Sequence, residues 1–401
     1  MAARRTVTAR GRRGTVRWGG YDVFDPLLRL SSYDGSAKGS TPNHMRRLLP
    51  LTIAVSVSAG VLLRADDLVL SRFSDYLDSL RVQLGIPGMA VTLIRLTDPN
   101  WERAYGMQDQ EQLIAARPDT PFEMDGTTQL LSAVIVMQCV EEGRISLDAP
   151  LQQFSPNASE PNATVRQLLS HTSLVSGALT FSYNPSRLET LAAVVPTCTG
   201  TSFREAVYGR LLDRLAMVDS IPGADVLSLT PPADGTPLAD GMTAETLTRF
   251  KAVFDRLAKP YAVDSRGRSS PSQYTAVSLT PASGLISTVR DMAKFDAALR
   301  HGDLVRPETL AVAWTPPLDR NGQRLPHGLG WFVQSYNGER VVWQFGVSDN
   351  ASSSMVIMVP GRGLTLLLAA NSSGLAKSFS LGSGDVMVSP FARLFLSIYV
   401  R

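Results

Sequence analysis

The sequence predicts a mixed α/β domain of the α+β type: an antiparallel sheet assembled from both ends of the chain, flanked by helices and carrying a helical lobe. Three observations predict it. Strand-like apolar runs gather near residues 89–105 and again over 329–371, helix-period segments fill the interval, and 44% hydrophobic against 19% charged residues is an ordinary globular composition. A chain of 401 residues is long enough for one large unit of two interlocked lobes plus a leader.

Residues 1–44 are Arg- and Gly-rich without periodicity and stand before a second methionine, Met45. They read as a disordered basic extension, an over-extended start or a transit-type stretch. Residues 45–65 join Arg46 and Arg47 to an uncharged run from Leu48 to Leu63, the pattern of a signal peptide or N-terminal anchor. The run is slightly long for a cleaved signal and slightly short for a span, so both outcomes stay open. Either one places the body of the protein in the periplasm or outside the cell, with attachment to the inner membrane as the alternative to release.

Charge follows the same division. Residues 1–47 hold ten Lys and Arg against three Asp, a net +7, so the chain's total of +3 leaves −4 on the remainder. A mildly acidic body has no electrostatic footprint for a phosphate backbone, which argues against nucleic-acid binding. Cys139 and Cys198 show no metal-ligand spacing, and we expect free thiols, with a disulfide as the alternative if the protein is exported. The four histidines, His44, His171, His301 and His327, are scattered. Neither a metal nor a cofactor is expected.

From Leu68 the run LVLSRFSDYLDSLRVQL has helical spacing and is ended by Gly85–Gly88. Met89–Ile94 then reads as a buried strand, with Trp101–Tyr105 as its hairpin partner. LGWFVQ, RVVWQFG, SSSMVIMVP and LTLLLAAN read as four more strands, and SPFARLFLSIYVR as a terminal helix.

Several stretches in order carry a resemblance: GIPGMAV, PDTPF, VEEGRISLDAPL, TVRQLLSHTS, the run from TGTSF to LAMVDS, PASGLISTVRDMAKF, HGLGWFV and VPGRGLTLLLAANSS. Through them the chain resembles the serine β-lactamase-like family of class C β-lactamases, D-alanyl-D-alanine carboxypeptidases and related esterases, over roughly Leu70–Arg401. The resemblance implies a β-lactamase/transpeptidase-like domain over 66–401. Its α/β lobe would take about 70–119 plus 281–401, and its helical lobe about 120–280.

Active members carry Ser-x-x-Lys at the start of a helix, where residues three apart share a face and the amine can take the hydroxyl proton. The frame from Phe122 to Gly143 places Gly126 at the serine position and Gln129 at the lysine position. Glycine has no nucleophile, and an amide has no usable basicity. None of the five lysines has a serine three residues before it, and Thr248–Lys251 reads as a solvated helix face. Ser348-Asp349-Asn350 falls outside the expected motif order and reads as coincidence.

In the second motif, Tyr-x-Asn, Tyr183 is retained, Asn184 falls in the middle and Pro185 replaces the asparagine, unless a one-residue shift lets Asn184 serve. The third motif, a Lys or His followed by a hydroxyl residue and Gly, is replaced by Gln344, Phe345 and Gly346. Phe345 is either a cleft aromatic or a core one. Tyr183 is thus the one retained catalytic position.

These replacements lead us to expect a catalytically inactive homologue that acts by binding a peptidoglycan-like peptide, a β-lactam-shaped molecule or a protein partner. One alternative is an active hydrolase with a rewired site, using Tyr183, Thr127, Thr128 or Ser132. The other is a structural interaction subunit with no ligand in the cleft.

Overall fold

The computed structural model describes residues 67–401 apart from 97, 231–237, 239–240 and 276–277, and Arg64–Arg401 form one compact unit. The basic extension and the expected leader lie outside the described residues.

A helix, α1, spans 67–83. Phe73 and Leu77, four apart, are fully buried on its inner face, as an amphipathic helix requires. It ends at Gly85, whose φ of +66° disfavours any side chain and where a Cβ would meet the Gly267 carbonyl oxygen at 2.5 Å. The chain then forms the hairpin β1 (Gly88–Arg95) and β2 (Asp98–Asp109), followed by the short strands β3 (Ile114–Ala115) and β4 (Phe122–Glu123). Helix α2 (Thr128–Glu141) comes next.

The middle of the chain adds α3 (Val165–Leu169), the hairpin β5 (Thr172–Val175) and β6 (Ala178–Phe181), α4 (Leu191–Thr199) and α5 (Phe203–Val207). After these come β7 (Ile221–Pro222), α6 (Ala244–Phe254), β8 (Tyr261–Val263) and β9 (Ser269–Pro271). The return is β10 (Leu285–Ser287), α7 (Val289–His301), α8 (Pro307–Ala313), β11 (Phe332–Tyr336), β12 (Glu339–Ser348), β13 (Ser352–Val359), β14 (Leu364–Ala370) and α9 (Pro390–Tyr399).

The chain ends meet in one seven-stranded sheet of order β11-β12-β13-β14-β1-β2-β3. Strand β1 pairs antiparallel with β14, Val91 opposite Leu368. Alternation sorts the side chains: Met89, Val91 and Leu93 pack with Phe73, Leu77, Phe391 and Phe395, while Ala90 and Ile94 face the core shared with α2 and α7. Both faces are covered, which is why these strands read as continuous apolar runs. Helix α2 is buried from Thr128 to Cys139 on every side. A small sheet, β4-β10-β7, ties its start to distant segments, and the Met124 N–H donates to the Leu285 carbonyl at 2.8 Å.

One expectation is corrected. Cys139 and Cys198 are not free thiols but a disulfide with Cα atoms 5.8 Å apart. Cys198 lies in the last turn of α4, capped by left-handed Gly200, and the packing of α4 on α2 brings together two cysteines 59 residues apart.

Candidate active site

Gly126, Gln129, Tyr183 and Gln344, the positions that the resemblance matches to the catalytic motifs, come together where α2 begins beside β12. Gly126 sits in the 3₁₀ turn Asp125–Thr127 just ahead of α2. That turn is held to the sheet by the Met124 carbonyl, which accepts from Thr127 Oγ1 at 2.8 Å and from Ser354 Oγ at 2.6 Å. Gly126 and Gly346 pack backbone to backbone. A Cβ on Gly126 would lie 2.6 Å from the Phe345 carbonyl oxygen, and one on Gly346 would lie 2.4 Å from the Met124 carbonyl oxygen and 2.6 Å from Gly126 N. Position 126 carries no side chain, and the backbone around it leaves no room for one.

Gln129, the second residue of α2, is fully buried beneath the cleft and takes part in a directed chain of hydrogen bonds. The Asn184 N–H donates to His171 Nδ1 at 3.2 Å, so the proton of the neutral ring is on Nε2. Nε2–H donates to Gln129 Oε1 at 3.1 Å, which turns the Gln129 amide so that its Nε2 donates to the Tyr183 oxygen at 3.0 Å. The Tyr183 hydroxyl in turn donates to Gln344 Oε1 at 3.4 Å, a long bond. Gln344 Oε1 also accepts from the Phe345 N–H at 2.9 Å, and its Nε2 donates to the Gly330 carbonyl at 3.3 Å.

Every member of this chain is uncharged. Burial drives the His171 imidazole well below its ordinary range, with His327, whose ring centroid is 4.7 Å away, and Arg187 adding to the effect. His327 is depressed to about 3 by burial. The same burial raises the Tyr183 phenol, and the Gln129 hydrogen bond offsets this only in part. A phenol held neutral with an amide as its partner has no means of acting as a base near neutral pH.

A cavity of about 390 Å³ opens over this layer, lined by Gly126, Tyr183, Pro185 and Phe345 together with Asp125, Glu189, Ser348 and Asp349. Not all the expected cleft residues reach it. Gln129 and Gln344 lie below its floor, Gly346 backs onto Gly126, and Asn184 is exposed and uses its backbone N–H on His171. Pro185 occupies the wall and opens the 3₁₀ segment Pro185–Thr190. Phe345 has both roles: it belongs to the apolar core of α1 and α9, and its ring also lies 5.2 Å from that of Tyr183 at the cavity.

The hydroxyls weighed as replacement nucleophiles are buried and engaged. Thr127 donates to Met124, Thr128 accepts from the Leu285 N–H at 3.3 Å, and Ser132 donates to the Pro281 carbonyl at 2.8 Å.

Several site residues were not singled out from the sequence. His171 orients the whole chain of hydrogen bonds, and Ser348 and Asp349 line the cavity although their motif had read as coincidence. Glu123 and Asp125 form a buried acid pair, both accepting from Ser352 Oγ, at 3.3 and 2.8 Å. Burial lifts the Glu123 carboxyl to about 7, and burial together with the Glu123 charge lifts Asp125 well above the carboxylate range. Two acidic residues just before Gly126 were the only available signal.

A two-sided antiparallel sheet, a helix whose N-terminus meets the sheet at a cleft, and a tyrosine facing that helix define a penicillin-recognising serine-hydrolase fold. The comparisons agree: the Beta-lactamase family profile matches residues 72–383, and the chain belongs to that family. The structure is similar to the octameric penicillin-binding protein homologue from Pyrococcus abyssi (TM-score 0.64, 18% identity, 82% of this chain and 77% of that one). It is also similar to a class C beta lactamase from Rhodobacter sphaeroides (TM-score 0.58, 17% identity, 81% and 97%). Among curated proteins, Protein flp of Staphylococcus aureus (strain NCTC 8325 / PS 47) is 25% identical over 101 residues, 24% of this chain and 20% of that protein. The chain thus matches about a fifth of the length of such relatives.

Proposed function

We propose that this protein is a catalytically silent member of the Beta-lactamase family that works by binding a ligand in the cleft. The observation that carries this reading is the closure of the nucleophile position, where the Phe345 carbonyl occupies the space a side chain on Gly126 would need. Around it the amine has become the Gln129 amide, and the cation or imidazole of the third motif has become the Gln344 amide. Amides orient and hold but do not exchange protons, so the chain from His171 to Gln344 keeps Tyr183 fixed and neutral. Removing one member of such a catalytic unit already costs on the order of six powers of ten in turnover.

We further propose export across the inner membrane, with the cleft facing the periplasm or exterior. The Cys139–Cys198 disulfide supports this, since such bonds persist in oxidising compartments.

The test is purified protein with a chromogenic cephalosporin and a short-chain nitrophenyl ester. The expected result is no turnover above buffer. Saturable turnover abolished by Tyr183→Phe would overturn silence in favour of a rewired hydrolase.

A further inference from the structure

We propose that the outer edge of β11 is a docking surface for an extended, acidic segment of a partner protein, which adds to the seven-stranded sheet as one more strand. The surface is separate from the cleft, since no residue lines both cavities.

Three observations carry it. The first is a sheet edge that is closed only halfway. Strand β11 stands first in the sheet order, so its outer side faces no other strand of the sheet. Residues 326–328 cover the beginning of that side: the Val333 N–H donates to the Pro326 carbonyl at 2.9 Å, and the Gly328 N–H to the Trp331 carbonyl at 2.7 Å. Opposed residues of an antiparallel pair exchange both bonds, so the Val333 carbonyl would next accept from residue 326. That residue is a proline with no N–H to give, and the cover ends there. Two residues on, Ser335 turns its N–H and C=O to the same outer side as Val333, by the alternation of the ladder with β12. Ser335 is exposed, and neither its two backbone groups nor the Val333 carbonyl has a hydrogen-bond partner among the described residues. An edge of this kind is a template for a further strand.

The second observation is the space beside that edge. A cavity of about 590 Å³ runs along it, lined by Val333 and Ser335 on the strand and by Arg324, Leu325, Pro326 and Arg340 around it. The strand itself is held in place there. Gln334, between the two outward residues, accepts from the Val386 N–H through Oε1 at 2.7 Å, and Phe332 and Tyr336 pack in the apolar core of α1 and α9. The open half of the edge is therefore preformed, and a strand that pairs with it loses little to ordering the receptor.

The third observation is charge. Arg324 and Arg340 are exposed, neither has a carboxylate within ion-pair distance among the described residues, and no Asp or Glu lines the cavity. Arg340 lies directly opposite Ser335 on β12, so its side chain stands on the same sheet face as those of Val333 and Ser335. A strand paired with Ser335 would carry its alternate side chains past that guanidinium, and a guanidinium fork takes a carboxylate with two bonds. A second copy docking the same edge about a two-fold axis would instead bring the arginines of both chains together, which like-charge repulsion opposes. Backbone pairing supplies the affinity in this mode of recognition, and the two arginines supply the preference for acid.

The test is fluorescence anisotropy with the full chain and a labelled, end-capped peptide that alternates glutamate and valine. Two matched probes carry lysine in place of glutamate, or a methyl group on every backbone nitrogen. At low salt the glutamate peptide should bind at least about tenfold more tightly than the lysine peptide, and its binding should weaken as salt is raised. Arg324→Ala and Arg340→Ala should each weaken it several-fold. Ser335→Pro removes an N–H that faces away from the ladder with β12, a place where an edge strand tolerates proline, and should abolish binding with little change in melting temperature. Should that variant fail to fold, the N-methylated peptide decides the same point on the wild-type chain, and it should not bind. A lysine peptide bound as tightly as the glutamate peptide would overturn the proposal. So would no binding of the glutamate peptide, or binding that survives either N-methylation or Ser335→Pro in a folded variant, which is charge attraction alone. Self-association of the chain in sedimentation, abolished by Ser335→Pro, would assign the edge to a second copy and overturn it as well.

Discussion

Glu123→Gln should stabilise the protein at alkaline pH and leave it nearly unchanged at acid pH. Glu123 is 2% exposed, and burial lifts its carboxyl from 4.5 to about 7. A carboxyl raised on folding contributes stability that is fully present below its unfolded value of 4.5 and is lost as pH rises through about 7. At about 1.4 kcal/mol per pH unit, the cost of the buried charge above that range is about 3 kcal/mol. Glutamine keeps the shape and the acceptor for Ser352 and never acquires the charge. The difference between variant and wild type should therefore be close to zero near pH 4 and grow to about 3 kcal/mol near pH 8.5.

Urea unfolding followed by tryptophan emission at both pH values measures this. The comparison with the variant is necessary because the wild-type profile mixes opposing contributions. The depressed pKa values of His171 and His327 contribute stability above the ordinary histidine range that is lost as pH falls below it. An equal difference at both pH values, or a variant less stable at alkaline pH, would refute the account of Glu123 as a buried acid held protonated.

Other outcomes follow from the same geometry. Gly126→Ala should destabilise by about 1–3 kcal/mol because its Cβ meets strand backbone; a melting temperature equal to wild type would contradict the close approach. Tyr183→Phe should leave the absorbance titration of the phenols unchanged up to about pH 11, since burial holds Tyr183 above the ordinary tyrosine range. A missing ionisation step in the variant would show the phenol to be accessible. Opening the Cys139–Cys198 bond, which closes a loop of 59 residues, should lower stability by up to about 4 kcal/mol in the chain-entropy account. An unchanged urea midpoint after reduction verified by mass spectrometry would count against it.

The sheet and its terminal helix were legible because strands buried on both faces, such as Met89–Ile94 and Leu364–Ala370, carry unbroken apolar runs. The run from Phe122 to Gly143 carried the expectation for Gly126 and Gln129, and the structure puts the first in the turn ahead of α2 and the second in the first turn of that helix. The disulfide was not legible, because nothing local says that residues 59 apart on two helices will meet. Nor was the part played by His171: a lone histidine has no spacing partner, and its importance arises from a ring orientation set by the Asn184 backbone. The burial of Gln129 and Gln344 below the cavity floor was hidden for a related reason, since a polar residue in a motif position gives no sign that its hydrogen bonds are all internal.

The backbone contact between Gly126 and Gly346 also bears on how the protein can change over time. In a lineage carrying this arrangement, a single substitution that places a hydroxyl at position 126 would first push β12 away from the turn before α2, and selection would meet the loss of stability before any gain of chemistry. A side chain at this position therefore requires a compensating shift elsewhere in the strand. The contact acts as a ratchet, and mutational drift in this chain has more room along the cavity wall than at position 126.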